Sequence, residues 1–375
     1  MDVQLLVRAY PQMIGLARYT RMLEKGLAAI GVPVRAIEPS YPAPIRAAHA
    51  ALHPLGYDLK TFFTTFPVAA PLQRDTITHL TTQQMASLFS VRPGLCPAIV
   101  TVHDLVPYLM RDDPEQRTYG QFADRWFDGL AMRNLRRADR LIAVSASTAQ
   151  TLVDRLQCTP ERIRVVPNGC DHIAFRPTPV PDAFRERHGL PATGRYILYV
   201  GSENPRKNLP RLLQAFAIVH ARLPDTRLIK AGNTESPARE ARLHALVREL
   251  GLAGCVIFPG SISQDELALF YNAADVFAFP SLYEGFGLPA VEAMACGTPV
   301  VCSNTTSLPE VVGDAAIAVD PCDIEALAEA LLKTLQDTGL RQEMAARGLA
   351  RAGQFTWERT ARETAAVYQE LGAVG

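Results

Sequence analysis

Short β-branched and aliphatic runs alternate with longer amphipathic stretches along the whole chain. In the first half, Val3–Arg8, Val34–Glu38, Thr76–Leu80, Ile99–His103, Arg140–Val144 and Arg162–Pro167 read as strands. In the second half, Tyr196–Gly201, Arg227–Ala231, Val256–Pro259, Val276–Pro280, Pro299–Cys302 and Ala316–Asp320 do so. Between the latter lie helical patterns such as "NLPRLLQAFAIVHARL" and "SQDELALFYNAAD", with Asn208 and Ser263 as expected N-caps. Such β-α alternation predicts parallel sheets wrapped by helices. The Pro- and Gly-rich segment Phe175–Arg195 lacks a strand pattern and reads as a boundary. It separates two Rossmann-like α/β units, 1–176 and 177–355, with a helical terminal segment, 356–375, after them. Open sheets of this kind bind ligands at the carboxyl ends of their strands, so two facing sheets would form a cleft.

Composition narrows the class. The chain has 375 residues, of which 48% are apolar and 20% charged, and this fits two soluble domains. No apolar run reaches the ~20 residues of a membrane span, and the N-terminus carries no signal-peptide pattern. Seven cysteines without a Cys-x-x-Cys pair read as a reduced, cytoplasmic protein with no zinc site. Lys+Arg and Asp+Glu balance at 38 each, which excludes a whole-protein basic field for nucleic acid. A local one remains in "AMRNLRRADR", where Arg133, Arg136, Arg137 and Arg140 recur at helical spacing. The simpler reading is a solvated helix face. The sharper one is a patch on the N-terminal unit for peripheral contact with the inner face of an anionic membrane, or with an anionic acceptor.

The chemistry concentrates in "PSLYEGFGLPAVEAMACGTPVV", Pro280 to Val301. Pro289 suits a first helical turn, so Glu284 falls in a loop and Glu292 in the opening turns of a helix. "GFGLPA" formally satisfies the dinucleotide fingerprint. However, it comes four strands into its unit, and the following strand ends in Asn304 instead of an acidic residue, which argues against NAD. Free amides at a helix start still favour phosphate. Two flanking carboxylates, acceptor-only groups, suit sugar and ribose hydroxyls on either side of a diphosphate.

Glu284-x7-Glu292 around "GFGLP" resembles the E-x7-E signature of the family 4 retaining glycosyltransferases. "GLARYT", "VTVHDL", "LIAVSAST", "VVPNGCDHIAFRP", "YVGSENPRKN", "VIFPGSISQDELALFYNAADVFAFPS" and "FTWERTA" agree with it in order, so the resemblance covers essentially the whole chain. It implies a GT-B fold, two Rossmann-like domains facing across a cleft. The N-terminal domain would bind the acceptor and the C-terminal one a nucleotide-sugar donor, with the terminal helix returning to the N-terminal domain. By the same resemblance Glu292 takes the ribose hydroxyls and Glu284 the transferred sugar. Backbone amides from Gly285 and Phe286 through Gly287 and Leu288 meet the sugar and diphosphate. Lys207 neutralises the departing diphosphate. Many relatives carry an arginine where this chain has Ser202 in the donor site, and Arg206 in "ENPRKN" supplies the second charge. Gly260 to Ile262 face the base. Gly15 approaches the diphosphate, Ala17 replaces a common second glycine, and His103 of "HDL" lines the sugar site. Ser145 reads as a helix N-cap, and Asn168–Gly169 as a turn.

The chain has no Asp-x-Asp motif and no His/Cys cluster with metal spacing, so leaving-group charge falls to helix-end amides, Lys207 and Arg206. The expected reaction is metal-independent hexosyl transfer with retention, by a front-face path, to a glycan, glycolipid or small hydroxylated acceptor. No cofactor is expected. The "HDL" and "ENPRKN" pair is most similar to mannosyltransferases, which favours GDP-mannose over a UDP-sugar. The competing readings are a nucleotide-sugar epimerase, a phosphorylase (for which no pyridoxal-phosphate lysine is identifiable) and a non-catalytic sugar-nucleotide-binding subunit.

Overall fold

The computed structural model describes residues 2–372 except 9–14, 41–44, 46, 47, 50, 52, 54–57, 74, 96, 233, 235 and 261. The described chain forms two compact units, one made of residues 1–169 with 357–375 and the other of residues 170–356. The boundary lies earlier than the expected 176/177. Cys170 donates its N–H to the Phe355 carbonyl at 2.9 Å and bridges to Thr356, which ties the segment after Gly169 to the second unit.

In the first unit the strands are β1 (Val3–Leu6), β2 (Val34–Ile37), β3 (Ile77–Leu80), β4 (Ala98–Val102), β5 (Arg140–Ala143) and β6 (Ile163–Val165). They form a parallel sheet in the order β2-β1-β3-β4-β5-β6. The strands β7 (Arg195–Val200), β8 (Thr226–Ala231), β9 (Val256–Ile257), β10 (Val276–Phe279), β11 (Val300–Ser303) and β12 (Ala316–Val319) make the second. Its parallel order is β12-β11-β10-β7-β8-β9, the doubly wound Rossmann arrangement. Helices cover both faces, which is why most of these strands are buried apolar runs.

The terminal helix Trp357–Gly372 belongs to the first unit, where Trp357, Ala361, Ala365 and Tyr368 join a core with Tyr19, Leu23 and Leu27. Gly26 makes this packing fit: a Cβ there would lie 2.9 Å from the Ala361 Cβ. Glu370 on the same helix pairs with Arg140 and Arg164, each at 2.8 Å.

That pairing corrects the arginine patch. Arg133 lies in the last turn of the helix Phe122–Asn134, Arg136 and Arg137 in the 3-10 turn Leu135–Arg137, and Arg140 opens β5. Arg136 and Arg137 donate to the carbonyls of Leu156 and Phe89 at 2.6 and 2.7 Å. The four arginines therefore share no helix face, and three of them fasten the fold. Asn208 is a second correction. It precedes the helix Leu209–Arg222, yet its side chain caps nothing, because φ is 60° there. Instead its amide donates to the Pro280 and Pro321 carbonyls at 3.0 and 2.7 Å. Ser263 and Ser145 do cap their helices, Ser263 in a full capping box with Glu266.

Candidate active site

In a doubly wound sheet the strand order reverses between two neighbouring strands, and their outgoing loops part to leave a ligand crevice. In the second unit those strands are β7 and β10. The loop after β7 carries Ser202, Arg206 and Lys207; the loop after β10 carries Glu284. The structure joins the two. Lys207 donates from Nζ to Glu284 Oε1 at 2.7 Å, and Arg206 Nη1 lies 3.3 Å from Glu284 Oε2. Arg206 also donates from Nη1 to the Tyr283 carbonyl at 3.1 Å, and its own carbonyl accepts from the Leu282 N–H at 2.7 Å. The Lys207 ammonium sits 5.1 Å from the Phe279 ring centroid, a cation–π contact. Burial pushes the Glu284 carboxyl upward, but the charges of Lys207 and Arg206 outweigh it and hold the group below the usual carboxylate range.

Glu284 lies in a loop, and Glu292 within the helix Leu288–Ala295 that follows. Gly287 makes the turn between them at φ 106°, a conformation that favours glycine, and a Cβ there would push on the end of the Leu308 side chain, Cδ2, at 2.6 Å. Ser307 holds the loop from outside, donating to the carbonyls of Glu284 and Phe286 at 3.0 and 2.9 Å. Thr306 accepts the Glu284 N–H at 3.1 Å. The loop carbonyls are thus engaged on one side. In the first helical turn Pro289 has no N–H and Ala290 and Val291 donate to the Gly287 carbonyl, so the amide at the very helix start is that of Leu288. Glu292 is 3% exposed and accepts from the Tyr271 hydroxyl at 3.2 Å. Ser202 accepts the Asn204 N–H at 3.4 Å, and its carbonyl takes the Tyr199 hydroxyl at 2.9 Å. Ile262 is half-buried beyond Gly260, whose φ is 76°; Ser261 between them lies outside the described residues.

His103 and Gly15 belong to the first unit. Gly15 opens the helix Gly15–Ala29 and is exposed; Met13 and Ile14 before it lie outside the described residues. His103 follows β4 directly. Its Nε2–H donates to the Thr81 carbonyl at 2.9 Å, which leaves Nδ1 with a lone pair. Burial pulls it down to about 4, partly offset by that bond, so the ring is neutral near pH 7. Tyr19 packs edge-on against His103 with centroids 4.5 Å apart. Behind them a buried chain runs from Tyr368 through His79 Nδ1 (2.8 Å), His79 Nε2 to Thr101 (2.7 Å) and Thr101 to Tyr19 (3.1 Å).

Sequence reasoning missed several of these supports. Thr306 and Ser307 lie in the polar run "SNTTS", which begins with the last residue of β11 and was the available signal. Lys230 and Glu203 form an ion pair in which both side chains are no more than 5% exposed. It anchors the start of the Ser202–Lys207 loop to β8, and nothing in the spacing announced it. Among the described residues, no group of three or more His, Cys, Asp or Glu side chains is placed to hold a metal ion.

Known proteins share both the sequence and the fold. Residues 13–173 match the family described as Glycosyltransferase Family 4, and residues 181–351 match Glycosyl transferases group 1. The O-antigen chain mannosyltransferase B of Escherichia coli is 35% identical over 73% of this chain and 70% of its own length. The D-inositol 3-phosphate glycosyltransferase of Acidothermus cellulolyticus is 38% identical over 62% of this chain, which spans about half of that relative (53%). Among solved structures, sucrose-phosphate synthase from Thermosynechococcus elongatus superposes with a TM-score of 0.76 at 25% identity, each chain covered in full (100%). HepE of Anabaena, in complex with UDP and glucose, gives 0.73 at 19% identity over 99% of this chain and 100% of its own. Two Rossmann-like units of this kind define the GT-B fold. The chain belongs to the family 4 glycosyltransferases, of the bacterial mannosyltransferase type.

Proposed function

We propose that this glycosyltransferase moves a mannosyl group from GDP-mannose, with retention and without a metal ion, to a hydroxyl of a glycan, glycolipid or small acceptor. The observation that carries the reading is the cluster of Lys207, Arg206 and Glu284 at the β7/β10 reversal. A departing diphosphate needs fixed positive charge, and two cations already held there supply it. Glu284 keeps both oriented in the absence of donor. The Leu288 amide at the helix start adds a backbone donor, and Glu292 takes the ribose hydroxyls. Glu284 would exchange part of its ion pairing for a hydroxyl of the transferred sugar as the diphosphate takes over the cations. His103 keeps the sugar-contact role the resemblance gives it, with Nδ1 as a hydrogen-bond acceptor for a hydroxyl.

In the front-face path the bond from the anomeric carbon to phosphate oxygen breaks, the acceptor oxygen bonds to that carbon on the same face, and the acceptor proton passes to the diphosphate. The similarity to an O-antigen mannosyltransferase supports mannose as the sugar. A thermal-shift panel of GDP-mannose, UDP-glucose and their nucleotides tests the donor. GDP-mannose should give the largest rise in melting temperature, and the proton NMR spectrum of the product should show an α-anomeric mannoside. A larger rise with UDP-glucose, or a β-anomer, would overturn the assignment.

A further inference from the structure

Two side chains outside that site form a nucleophile–base pair. Cys255 Sγ lies 3.2 Å from His220 Nε2. His220 sits near the end of the helix Leu209–Arg222, and Cys255 immediately precedes β9 at the sheet edge. The other ring nitrogen, His220 Nδ1, is 3.1 Å from the Thr226 carbonyl, which can only accept a hydrogen bond. Nδ1 therefore carries the proton, and Nε2 faces the thiol with a lone pair, oriented to accept the S–H. The third partner, a backbone carbonyl, fixes the base as an orienting group does in nucleophilic catalysis. Both residues are half-buried, so the thiol is reachable.

The remaining described cysteines supply the contrast. Cys158, Cys170, Cys296 and Cys302 are buried, and burial pushes Cys158 up to about 11 and Cys296 and Cys302 up to about 12. Cys322 is exposed and lies between Asp320 and Asp323. We propose that Cys255, paired with His220, is a modification site, the thiol that reacts first among the described cysteines with soft electrophiles and peroxides. With an alkyl halide, the sulfur bonds to carbon, the halide leaves with the electron pair, and the thiol proton passes to His220 Nε2. With hydrogen peroxide, the sulfur bonds to one oxygen and the O–O bond breaks. The departing hydroxide takes the proton to become water, leaving a sulfenic acid at Cys255.

The test is timed labelling of the intact chain with iodoacetamide at neutral pH, mapped by peptide mass spectrometry, with Cys322 as the internal standard. Cys255 should label about ten-fold faster than Cys322, and His220→Gln should erase that lead, because His220 Nε2, and not exposure, is what takes the thiol proton. His220→Ala serves as a second variant, and labelling of Cys302 reports any loss of fold in either. After brief peroxide treatment, a sulfenic-acid-selective dimedone tag should fall on Cys255. The proposal is overturned if Cys322 labels as fast as Cys255 in the native protein, or if Cys255 keeps its rate in folded His220 variants.

Discussion

The two parallel sheets are built alike but end in different chemistry. At the β7/β10 reversal of the second unit, the strand ends carry formal charge: Lys207 and Arg206 on Glu284, with the Lys230–Glu203 pair anchoring the loop. At the end of β4 in the first unit, the groups packed on His103 are neutral, and the neighbouring carboxyl, Asp104, accepts the Val106 N–H at 3.1 Å. His103 and His79 are held uncharged by burial, and hydroxyls of Tyr19, Thr101 and Tyr368 complete the network. Fixed charge suits a diphosphate; neutral donors and acceptors suit hydroxyl groups. This difference supports the proposed reading, in which the second unit holds the leaving diphosphate and His103 of the first meets a sugar hydroxyl.

Glu203→Gln leaves the Lys230 ammonium buried without its carboxylate, and should cost about 3–5 kcal/mol of stability in chemical denaturation. A loss below about 1 kcal/mol, the size of a surface pair, would mean that the pair does not anchor the loop. Lys207→Ala should lower turnover by about 10²–10³-fold while the protein still melts cooperatively, as expected when one preorganised charge is removed. Gly287→Ala combines a positive φ with the contact at Leu308, and should cost about 1–3 kcal/mol and weaken nucleotide binding.

The two glutamates sharpen the picture further. Glu284→Gln releases Lys207 and Arg206, so nucleoside diphosphate binding should hold or tighten while turnover falls. Glu292→Gln should weaken nucleotide binding about ten-fold, the size of one charged hydrogen bond. Isothermal titration of both variants with GDP checks this, and equal losses would contradict the division of roles.

The neutral end of the first unit has its own signature. His103 is pulled from 6.5 to about 4 in the folded chain, so between those values the unfolded chain binds more protons. The stability this contributes is full above pH 6.5 and is lost as pH falls towards about 4. His79, pulled down to about 3, acts in the same direction. The ring-proton shifts of His103 should therefore stay at neutral values on acidification to pH 5; titration near 6.5 would show the ring to be solvated.

The strands were legible in the sequence because most are short apolar runs buried from both sides; Tyr196–Gly201 became β7 with a shift of one residue. Glu284 and Glu292 were placed correctly because Pro289 and Gly287 fix the helix start locally. What escaped the sequence depends on strand order. Asn208 reads as a cap by residue type, but the β7/β10 neighbourhood offers it the carbonyls of Pro280 and Pro321. The arginines of "AMRNLRRADR" read as one helix face until the chain turns at Leu135 and Arg140 enters a strand beside Glu370, 230 residues away. Partners that distant in sequence leave no periodic trace.

On the proposed reading, protein cations at the second sheet, and no metal ion, carry the leaving diphosphate. Nucleoside diphosphate release from GDP-mannose in excess EDTA, followed for the native chain and for Lys207→Ala, is the decisive measurement. Release by the native chain should be unchanged by EDTA and largely abolished in Lys207→Ala. Loss of native activity in EDTA with recovery on adding Mg²⁺ or Mn²⁺ would contradict the account.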